Sequence, residues 1–409
     1  MRRILIVNNV FYPDEVAVSQ YVSSCAFELA TCGNHITVFA GRRDYENPSV
    51  KYSKHSIESG VVVERLWSTG FKKVSRLGRL FNFLTFQIAL FLKMLFINAK
   101  QFDLVVGSTV PPLVPIVTSA LCYIHRLPYV YWVMDLQPDE AVAAGYLRPG
   151  SLPERCLSRL AMVPLFLART IVVLDRYMKE RIVEKGVPTD KVSIVGLWPS
   201  VEADASAEDI AQFRATFGFG NGVVVMYSGN HSVCHPLDTL LLSAERLRSD
   251  ERFVFAFIGS GVRKKDVEMF VVDHQLKNIV SAPYQPLKSV NTSLAAADIQ
   301  CVVQGDRYSG LVHPSKMYGL LALGKPVLYI GPRKSYICDI LDSVQAGIRV
   351  DHGDIDSCVN AIEWGAALSA KDRQEIRIRC MDFVRHNCNR SDQVGKLNLL
   401  FGGEWGKDA

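Results

Sequence analysis

The chain has 409 residues, 49% hydrophobic and 21% charged, which suits two globular domains of about 200 residues. Its formal net charge of +5 is too small to indicate nucleic-acid binding, and no basic run with interleaved aromatic residues appears. The ten cysteines form neither Cys-x-x-Cys pairs nor clusters with histidine, which argues against a zinc site or a disulfide scaffold. We therefore expect reduced cysteines, no metal, no cofactor and no nucleic-acid partner.

The N-terminal part begins with a short apolar run. Residues 4–10 predict a buried strand whose apolar part is too short for a signal peptide, so we expect the protein in the cytoplasm. A loop containing Tyr12 and Glu15 then leads to a predicted helix over 17–29, and a Gly-containing turn precedes a second strand.

Residues 71–100 combine a basic start with a long stretch dominated by Phe and Leu. Lys72, Lys73, Arg76 and Arg79 precede the apolar part, which is at the lower limit of length for a spanning helix. Such a pattern is typical of a helix that lies on an anionic membrane surface. A core helix of the N-terminal domain with a solvated basic start would give the same pattern.

Asp135 is the first ionisable group after the predicted buried strand that begins near 129. Open parallel sheets place their chemistry at the carboxyl ends of strands, so Asp135 is our candidate for a catalytic carboxylate that orients or deprotonates a substrate group. The alternative is a helix cap or a turn residue. Asp139 and Glu140 are weaker candidates, expected in the solvated first turn of a helix.

Two further predicted strands, near 223–230 and 253–261, end in Gly-containing loops that can face a phosphate. The first loop continues to His231 and His235, and the second is followed by Arg263. A lone Gly-x-Gly is a weak signal, and either histidine could be an ordinary structural residue.

Residues 299–332 predict a strand, a polar loop, a helix from about Ser315 and a second strand. Gly310 allows close backbone approach, while His313 and Lys316 add hydrogen-bond donors near the start of the helix. We interpret this unit as a diphosphate pocket, although a solvated lysine and an ordinary loop fit the spacing equally well.

The segment PSKMYGLLALGKPVLYIG, residues 314–331, resembles the donor-site segment of GT-B retaining glycosyltransferases of the family 4-like, bacterial polysaccharide or colanic-acid type. The resemblance extends over essentially the whole chain. It implies an α/β fold with two Rossmann-like, doubly wound parallel-sheet domains and an interdomain cleft. The implied N-terminal acceptor-side domain is 1–202, the donor-binding domain is 203–385, and a C-terminal helix near 386–405 packs back on the first domain.

The resemblance also assigns site residues. The implied donor-binding residues are Gly229, Asn230, His231, His235, Gly259, Gly261, Arg263, Ser309, Gly310, Leu311, Val312, His313, Ser315, Lys316 and Gly319. The implied acceptor-side residues are Tyr12, Glu15, Val16 and Ala17, with Asp135 as the catalytic group.

Four departures from the family pattern bear on these assignments. Val16 and Ala17 replace a Gly-Gly pair, and Met134 replaces a common histidine. The loop at 229–235 has histidines where relatives often have Arg and Lys. The two glutamates of the family hallmark are absent, because their positions hold Leu311 and Gly319.

The predicted function is metal-independent, retaining transfer of a sugar from a nucleoside diphosphate sugar to a carbohydrate acceptor, expected to be lipid-linked, in lipopolysaccharide or exopolysaccharide biosynthesis. The protein would be peripheral at the inner face of the plasma membrane. Two alternatives share the fold. A sugar-nucleotide 2-epimerase would not explain residues 71–97, and a non-catalytic membrane-docked partner would explain the absent glutamates.

Overall fold

The protein, described here by a computed structural model covering residues 1–71, 76–200 and 205–402, contains two compact units. The first unit comprises 1–197, 310–313 and the chain from 390 onwards, and the second comprises 198–309 and 314–389. Lys72 and Lys73 of the predicted membrane-facing group lie outside the described residues, as does the predicted domain boundary at 202.

Each unit is built on one sheet. The strands of the first unit are β1 (Arg3–Val7), β2 (His35–Gly41), β3 (His55–Glu58), β4 (Val61–Leu66), β5 (Leu104–Ser108), β6 (Tyr129–Trp132), β7 (Thr170–Val173) and β8 (Val192–Ile194). The strands of the second unit are β9 (Val223–Ser228), β10 (Phe253–Ile258), β11 (Ile279–Ala282), β12 (Ile299–Val303), β13 (Val327–Ile330) and β14 (Gly347–Val350).

The sheet orders are β3-β4-β2-β1-β5-β6-β7-β8 and β11-β10-β9-β12-β13-β14. Within the described ranges every strand pairing is parallel except β3 with β4, which is antiparallel. Parallel strands need both faces covered, and strands such as β5 and β12 are accordingly buried throughout and mainly apolar. The predicted pair of doubly wound parallel-sheet α/β domains is confirmed.

Helices cover the sheets. In the first unit they are α1 (Ala17–Thr31), α2 (Arg76–Leu95), α3 (Val114–Ile124), α4 (Asp139–Ala143), α5 (Leu152–Leu167) and α6 (Arg176–Glu184). The next eight are α7 (Ala207–Thr216), α8 (Asp238–Arg246), α9 (Lys264–Asp273), α10 (Leu287–Ala295), α11 (Lys316–Leu323), α12 (Tyr336–Val344), α13 (Ile355–Ala367) and α14 (Ala370–Asn387). The last, α15 (Arg390–Gly402), belongs to the first unit, where Arg2 donates a hydrogen bond to the Phe401 carbonyl at 3.1 Å.

Helix α2 has an apolar side in the core and an apolar side in solvent. Phe86, Leu90 and Met94 are at most 1% exposed and pack in the core of the first unit. The exposed apolar stripe lies at i, i+3, i+4 and i+7 spacing and comprises Leu77, Leu80, Phe81, Leu84, Ile88, Phe91, Leu92 and Leu95. By length and composition alone, residues Leu77–Leu95 would also suffice to cross a membrane.

We expect Leu90→Ala to destabilise the first unit much more than Leu92→Ala. Leu90 is fully buried, so its truncation removes packing and leaves a cavity, at a cost of about 2–5 kcal/mol. Leu92 is 50% exposed on the same helix, and its truncation should change stability by about 0.5 kcal/mol or less. Urea unfolding of both variants measures the difference. Equal losses would contradict the assignment of the two helix faces.

Candidate functional site

Lys316 is the first residue of α11, and its ammonium group lies inside the second unit. Nζ is 3.7 Å from the centre of the Tyr227 ring and is shielded from solvent. A Cβ on Gly229 would come within 2.9 Å of Nζ, so a larger residue there would displace the amine. Among the described residues no hydrogen-bond acceptor contacts Nζ. Burial lowers the pKa of Lys316 to about 7, because no counter-ion offsets the lost hydration.

Two histidines lie near this amine, and both are held neutral. Nδ1 of His231 contacts the Gly229 carbonyl at 3.1 Å, and Nδ1 of His235 contacts the Val303 carbonyl at 2.7 Å. Carbonyls only accept, so each Nδ1 carries the hydrogen and each Nε2 is left as an acceptor. Burial lowers the pKa of His231 to about 4 and that of His235 to about 3, and the charge of Lys316 adds to both shifts. These histidines therefore cannot replace the positive charge of an Arg and a Lys at neutral pH.

The loops after β9 and β10 touch each other, which explains their glycines. A Cβ on Gly259 would lie 2.0 Å from the Gly229 carbonyl oxygen, and one on Gly261 would lie 2.5 Å from the His231 carbonyl oxygen. Both glycines also have positive φ angles, 137° and 143°. The neighbouring Arg263 is already paired, with Asp266 at 2.8 Å and Asp238 at 3.4 Å. Its positive charge is thus partly neutralised by two carboxylates of the second unit.

The start of α11 lacks the side-chain cap that the sequence suggests. Ser315 has helical backbone angles and its side chain makes no capping hydrogen bond. The Ser309 hydroxyl donates to the Lys334 carbonyl, and Gly319 is buried within the helix. Gly324 ends the helix with a φ of 62°, which is the ordinary left-handed cap.

The group formed by Tyr227, Gly229, His231, His235 and Lys316, here the Lys316 cluster, is suited to an anion. An ammonium buried without a counter-ion is unfavourable until an anionic oxygen accepts its hydrogen bonds and neutralises its charge. In the part of the chain that the structure describes, no group of three or more His, Cys, Asp or Glu residues could hold a metal ion.

The segment Gly310–His313 belongs to the first unit, although its neighbours on both sides belong to the second. Its Leu311 is 5% exposed and packs in the core of the first unit, and the Leu136 backbone N–H donates to the Leu311 carbonyl at 2.9 Å. Val312 forms an isolated antiparallel bridge with Asp135. The structure therefore places Gly310, Leu311, Val312 and His313 in the first unit, beside the end of β6.

Asp135 follows β6 after two residues, and its backbone N–H donates to the Thr109 hydroxyl oxygen at 3.3 Å. Its surroundings raise the pKa of Asp135 to about 6 through burial, while the nearby His313 acts in the opposite direction. Glu140 lies in the first turn of α4, as the sequence predicts, but it is half-buried where a solvated side chain was expected. Burial, followed by the charge of Asp135, raises its pKa to about 7. Asp139 pairs with Lys185 at 2.6 Å.

His313 is held by a carboxylate of the first unit. Its Nδ1 lies 2.6 Å from Oδ2 of Asp175, and the two side chains are 1% and 5% exposed. Asp175 is the N-cap of α6. Sequence reasoning missed it, although an Asp directly after an apolar strand is the pattern that identified Asp135.

The acceptor-side residues named from the sequence surround the start of α1. Tyr12 is 48% exposed, and its carbonyl accepts a hydrogen bond from Arg65 at 2.7 Å. Glu15 is exposed, and Val16 is an N-cap without a side-chain hydrogen bond. Ala17 begins the helix, where no acidic residue occupies the first turn.

Comparison with known proteins gives one matching domain model and two curated relatives. Residues 17–198 match the model of the glycosyl transferase 4-like domain. The chain is 28% identical over 269 residues to a protein named as a probable glycosyltransferase, WbjE of Pseudomonas aeruginosa, covering 64% of this chain and 66% of that protein. It is 24% identical over 344 residues to WcaI of Escherichia coli K12, named as a putative colanic acid biosynthesis glycosyl transferase, covering 79% of this chain and 81% of that protein.

Two solved structures share the fold over nearly the whole chain. Anabaena HepE in complex with UDP and glucose matches with a TM-score of 0.73 and 13% identity, over 98% of this chain and 100% of that one. WaaG, a glycosyltransferase involved in lipopolysaccharide biosynthesis, matches with a TM-score of 0.68 and 12% identity over 98% and 100%. At this identity the similarity concerns the fold.

We expect Lys316→Met to stabilise the protein more at pH 7 than at pH 9. The unfolded amine has a pKa of about 10.4, while the folded one titrates at about 7. Between these values the unfolded chain binds more protons, so the wild type gains stability as the pH rises. Methionine removes the titrating group and therefore this gain.

Urea unfolding at both pH values measures the effect, with the 85% exposed Lys371→Met as the matched control. A Lys316→Met variant whose free energy of unfolding rises with pH as steeply as that of the wild type would contradict the buried, uncompensated amine.

Proposed function

Because this chain is a glycosyltransferase of the family 4-like group with the GT-B fold, we propose that it takes its sugar from a nucleoside diphosphate sugar. The sugar goes to a saccharide acceptor during the assembly of a cell-surface polysaccharide. The names of the relatives, WbjE, WcaI and WaaG, support this role. The alternative of a non-catalytic partner protein is not supported, because those relatives are named as transferases.

The observation that carries the donor proposal is the buried, unpaired ammonium of Lys316. A diphosphate at the start of α11 would supply the acceptor oxygens that Nζ lacks among the described residues. The fold neighbour HepE has been solved with UDP and with UDP-glucose, which supports a donor of this class. Neutral His231 and His235 would contribute no charge, and their Nε2 atoms, which are acceptors, would offer no hydrogen to the diphosphate oxygens.

The proposed mechanism retains the configuration of the transferred sugar and uses no enzyme nucleophile. The leaving diphosphate is stabilised by electrostatics, through Lys316 and the backbone N–H groups at the start of α11. This stabilisation acts on charge that develops as the sugar departs. The transfer is proposed to be independent of metal ions, with Lys316 as the positive charge that faces the diphosphate.

Calorimetry with UDP, GDP, ADP and their glucose or mannose derivatives tests the donor proposal. We expect the wild type to bind at least one of them, and Lys316→Ala to weaken that binding about tenfold to a hundredfold, since a hydrogen bond to a charged group contributes about 1.5–3 kcal/mol.

Lys325→Ala is the matched control for this substitution. Lys325 directly follows the C-terminal end of α11 and donates to the Ala295 carbonyl at 2.8 Å, so its loss should leave the affinity unchanged. Equal affinities of Lys316→Ala and the wild type would remove Lys316 from the donor site.

We further propose that the first unit docks on an anionic membrane through α2, where a lipid-linked acceptor would be available. The exposed stripe of α2 is apolar along its length, and the helix contains no acidic residue. The exposed Phe71 packs against Phe81, with ring centroids 6.1 Å apart, and so extends the stripe. Arg79 is exposed near the start of the helix. A cytoplasmic protein held at the inner face of the membrane fits these features.

Sedimentation with phosphatidylcholine vesicles that contain phosphatidylserine tests this docking. Changing Lys72, Lys73, Arg76 and Arg79 together to Gln should release the protein, since each charge contributes about 1 kcal/mol near such a surface. The apolar contribution is tested separately by Phe81→Gln with Ile88→Gln.

The matched control is Met269→Gln with Val272→Gln, two residues of α9 that are 57% and 73% exposed in the second unit. This control should bind as the wild type does. A wild type that stays in the supernatant would contradict the docking proposal.

A further inference from the structure

Three carboxyl groups and one imidazole meet in the first unit, around the segment Gly310–His313. They are Asp135, Glu140, Asp175 and His313, and we call them the Asp135 cluster. They come from four places in the chain, namely the end of β6, helix α4, the start of α6 and the segment itself. Burial acts to raise the pKa of each of the three carboxyl groups.

Asp175 has two partners that fix its position. Oδ1 accepts the Met178 backbone N–H at 2.8 Å, which caps α6, and Oδ2 faces Nδ1 of His313 at 2.6 Å. Burial alone would raise the pKa of Asp175. The hydrogen bond and charge of His313, with the backbone N–H groups of Met178 and Tyr177, bring it below its usual value. Asp175 is therefore an ionised carboxylate beside the imidazole.

The Asp175 carboxylate determines which nitrogen of His313 carries hydrogen. An ionised carboxylate only accepts, so Nδ1 of His313 is the donor in this contact. The contact fixes the orientation of the imidazole ring, because both side chains are buried. Asp175 thus determines how His313 is oriented.

The orientation matters because His313 adjoins Asp135. The residue before it, Val312, forms a backbone bridge with Asp135, and the charge of His313 opposes the effect of burial on the Asp135 carboxyl. Within the cluster Glu140 is bonded to Gln137, and the charge of Asp135 raises the pKa of Glu140. The other titratable and charged groups nearby are Tyr131 on β6, the Asp139–Lys185 pair, and Arg181 of α6 against Gly310. The charge of His313 favours the ionised form of Asp135.

We infer that Asp175 is a positioning residue that orients His313, so that the imidazole keeps Asp135 ready to take the proton of the acceptor hydroxyl. This inference rests on the proposed function and extends it to two residues, since His313 was expected at the donor and Asp175 was not expected at all. The assignment depends on the hydrogen-bonded geometry of Asp175, His313 and the bridged segment.

The step is a front-face displacement at the anomeric carbon, which retains the configuration of the sugar. The acceptor oxygen forms a bond to that carbon, and the bond from the carbon to the diphosphate oxygen breaks. Its electron pair leaves on the diphosphate. The hydroxyl proton passes to the Asp135 carboxylate, which becomes a carboxylic acid near His313.

The kinetic test compares the pH dependence of turnover in the wild type and in Asp175→Asn, with water as acceptor and UDP-glucose, or the donor selected by the calorimetric panel. Asn can still cap α6, but it turns an NH₂ group toward Nδ1, so the imidazole loses the orientation in which its charge opposes the effect of burial on Asp135. Asp135 then keeps its proton to higher pH. We expect the acid limb of the turnover-against-pH profile to shift to higher pH by about one unit. On that limb turnover should fall about tenfold, and the donor affinity should be unchanged.

A second variant separates positioning from folding. In a His313→Gln background, which moves the acid limb by itself, Asp175→Asn should add no further shift, because its effect passes through the imidazole. Asp354→Asn is the matched control, since Asp354 caps α13 through the Ser357 N–H and contacts no histidine in the described structure. An acid limb that stays in place in Asp175→Asn, or that moves again in the double variant, would overturn the inference.

NMR of protein labelled with ¹⁵N-histidine tests the orientation without a donor. We expect His313, assigned by its loss in His313→Gln, to carry hydrogen on Nδ1 in the wild type and on Nε2 in Asp175→Asn. A wild type with hydrogen on Nε2 alone would overturn the inference. If the wild type binds none of the nucleotides but has the expected tautomer, the donor proposal falls and the positioning of His313 by Asp175 stands.

Discussion

Both sheets consist mainly of parallel strands, and this constrains where polar chemistry can lie. A parallel sheet must be covered on both faces, so its strands are apolar and its polar groups collect at the strand ends. In the first unit the end of β6 leads to Asp135 and the end of β7 leads to Asp175. In the second unit the end of β9 leads to Gly229 and His231. The two clusters therefore follow from the same architectural rule, applied once in each unit.

The two clusters differ in their electrostatics. The Lys316 cluster holds a cation that lacks a counter-ion and two histidines that burial keeps neutral. The Asp135 cluster has more carboxyl groups than it can keep ionised, with one imidazole among them. A buried cation without a counter-ion can stabilise the negative charge of a leaving group. A carboxylate with a raised pKa is suited to accept a proton.

Local patterns in the sequence predicted the strands, the loops at their ends, Asp135 and Lys316, because each depends on residues close together in the chain. They did not predict the pairing of His313 with Asp175, which are 138 positions apart. Nor did they predict that Leu311 packs in the first unit, since its neighbours in sequence belong to the second. For α2 the sequence allowed a core helix or a surface helix. Apolar residues on both sides of the helix made these indistinguishable, and the structure gives each side a different environment.

The first unit is discontinuous in sequence, and this has a consequence for synthesis on the ribosome. Its sheet is complete by Ile194, yet Val312 and the helix α15 are made much later. The side chain of Asn398 accepts a hydrogen bond from Asn34 at 3.0 Å, and Arg390 pairs with Glu28 at 3.0 Å, so α15 covers α1 and the turn after it. Until α15 leaves the ribosome, this part of α1 remains uncovered, and N-terminal fragments that end after β8 would expose it to chaperones and proteases.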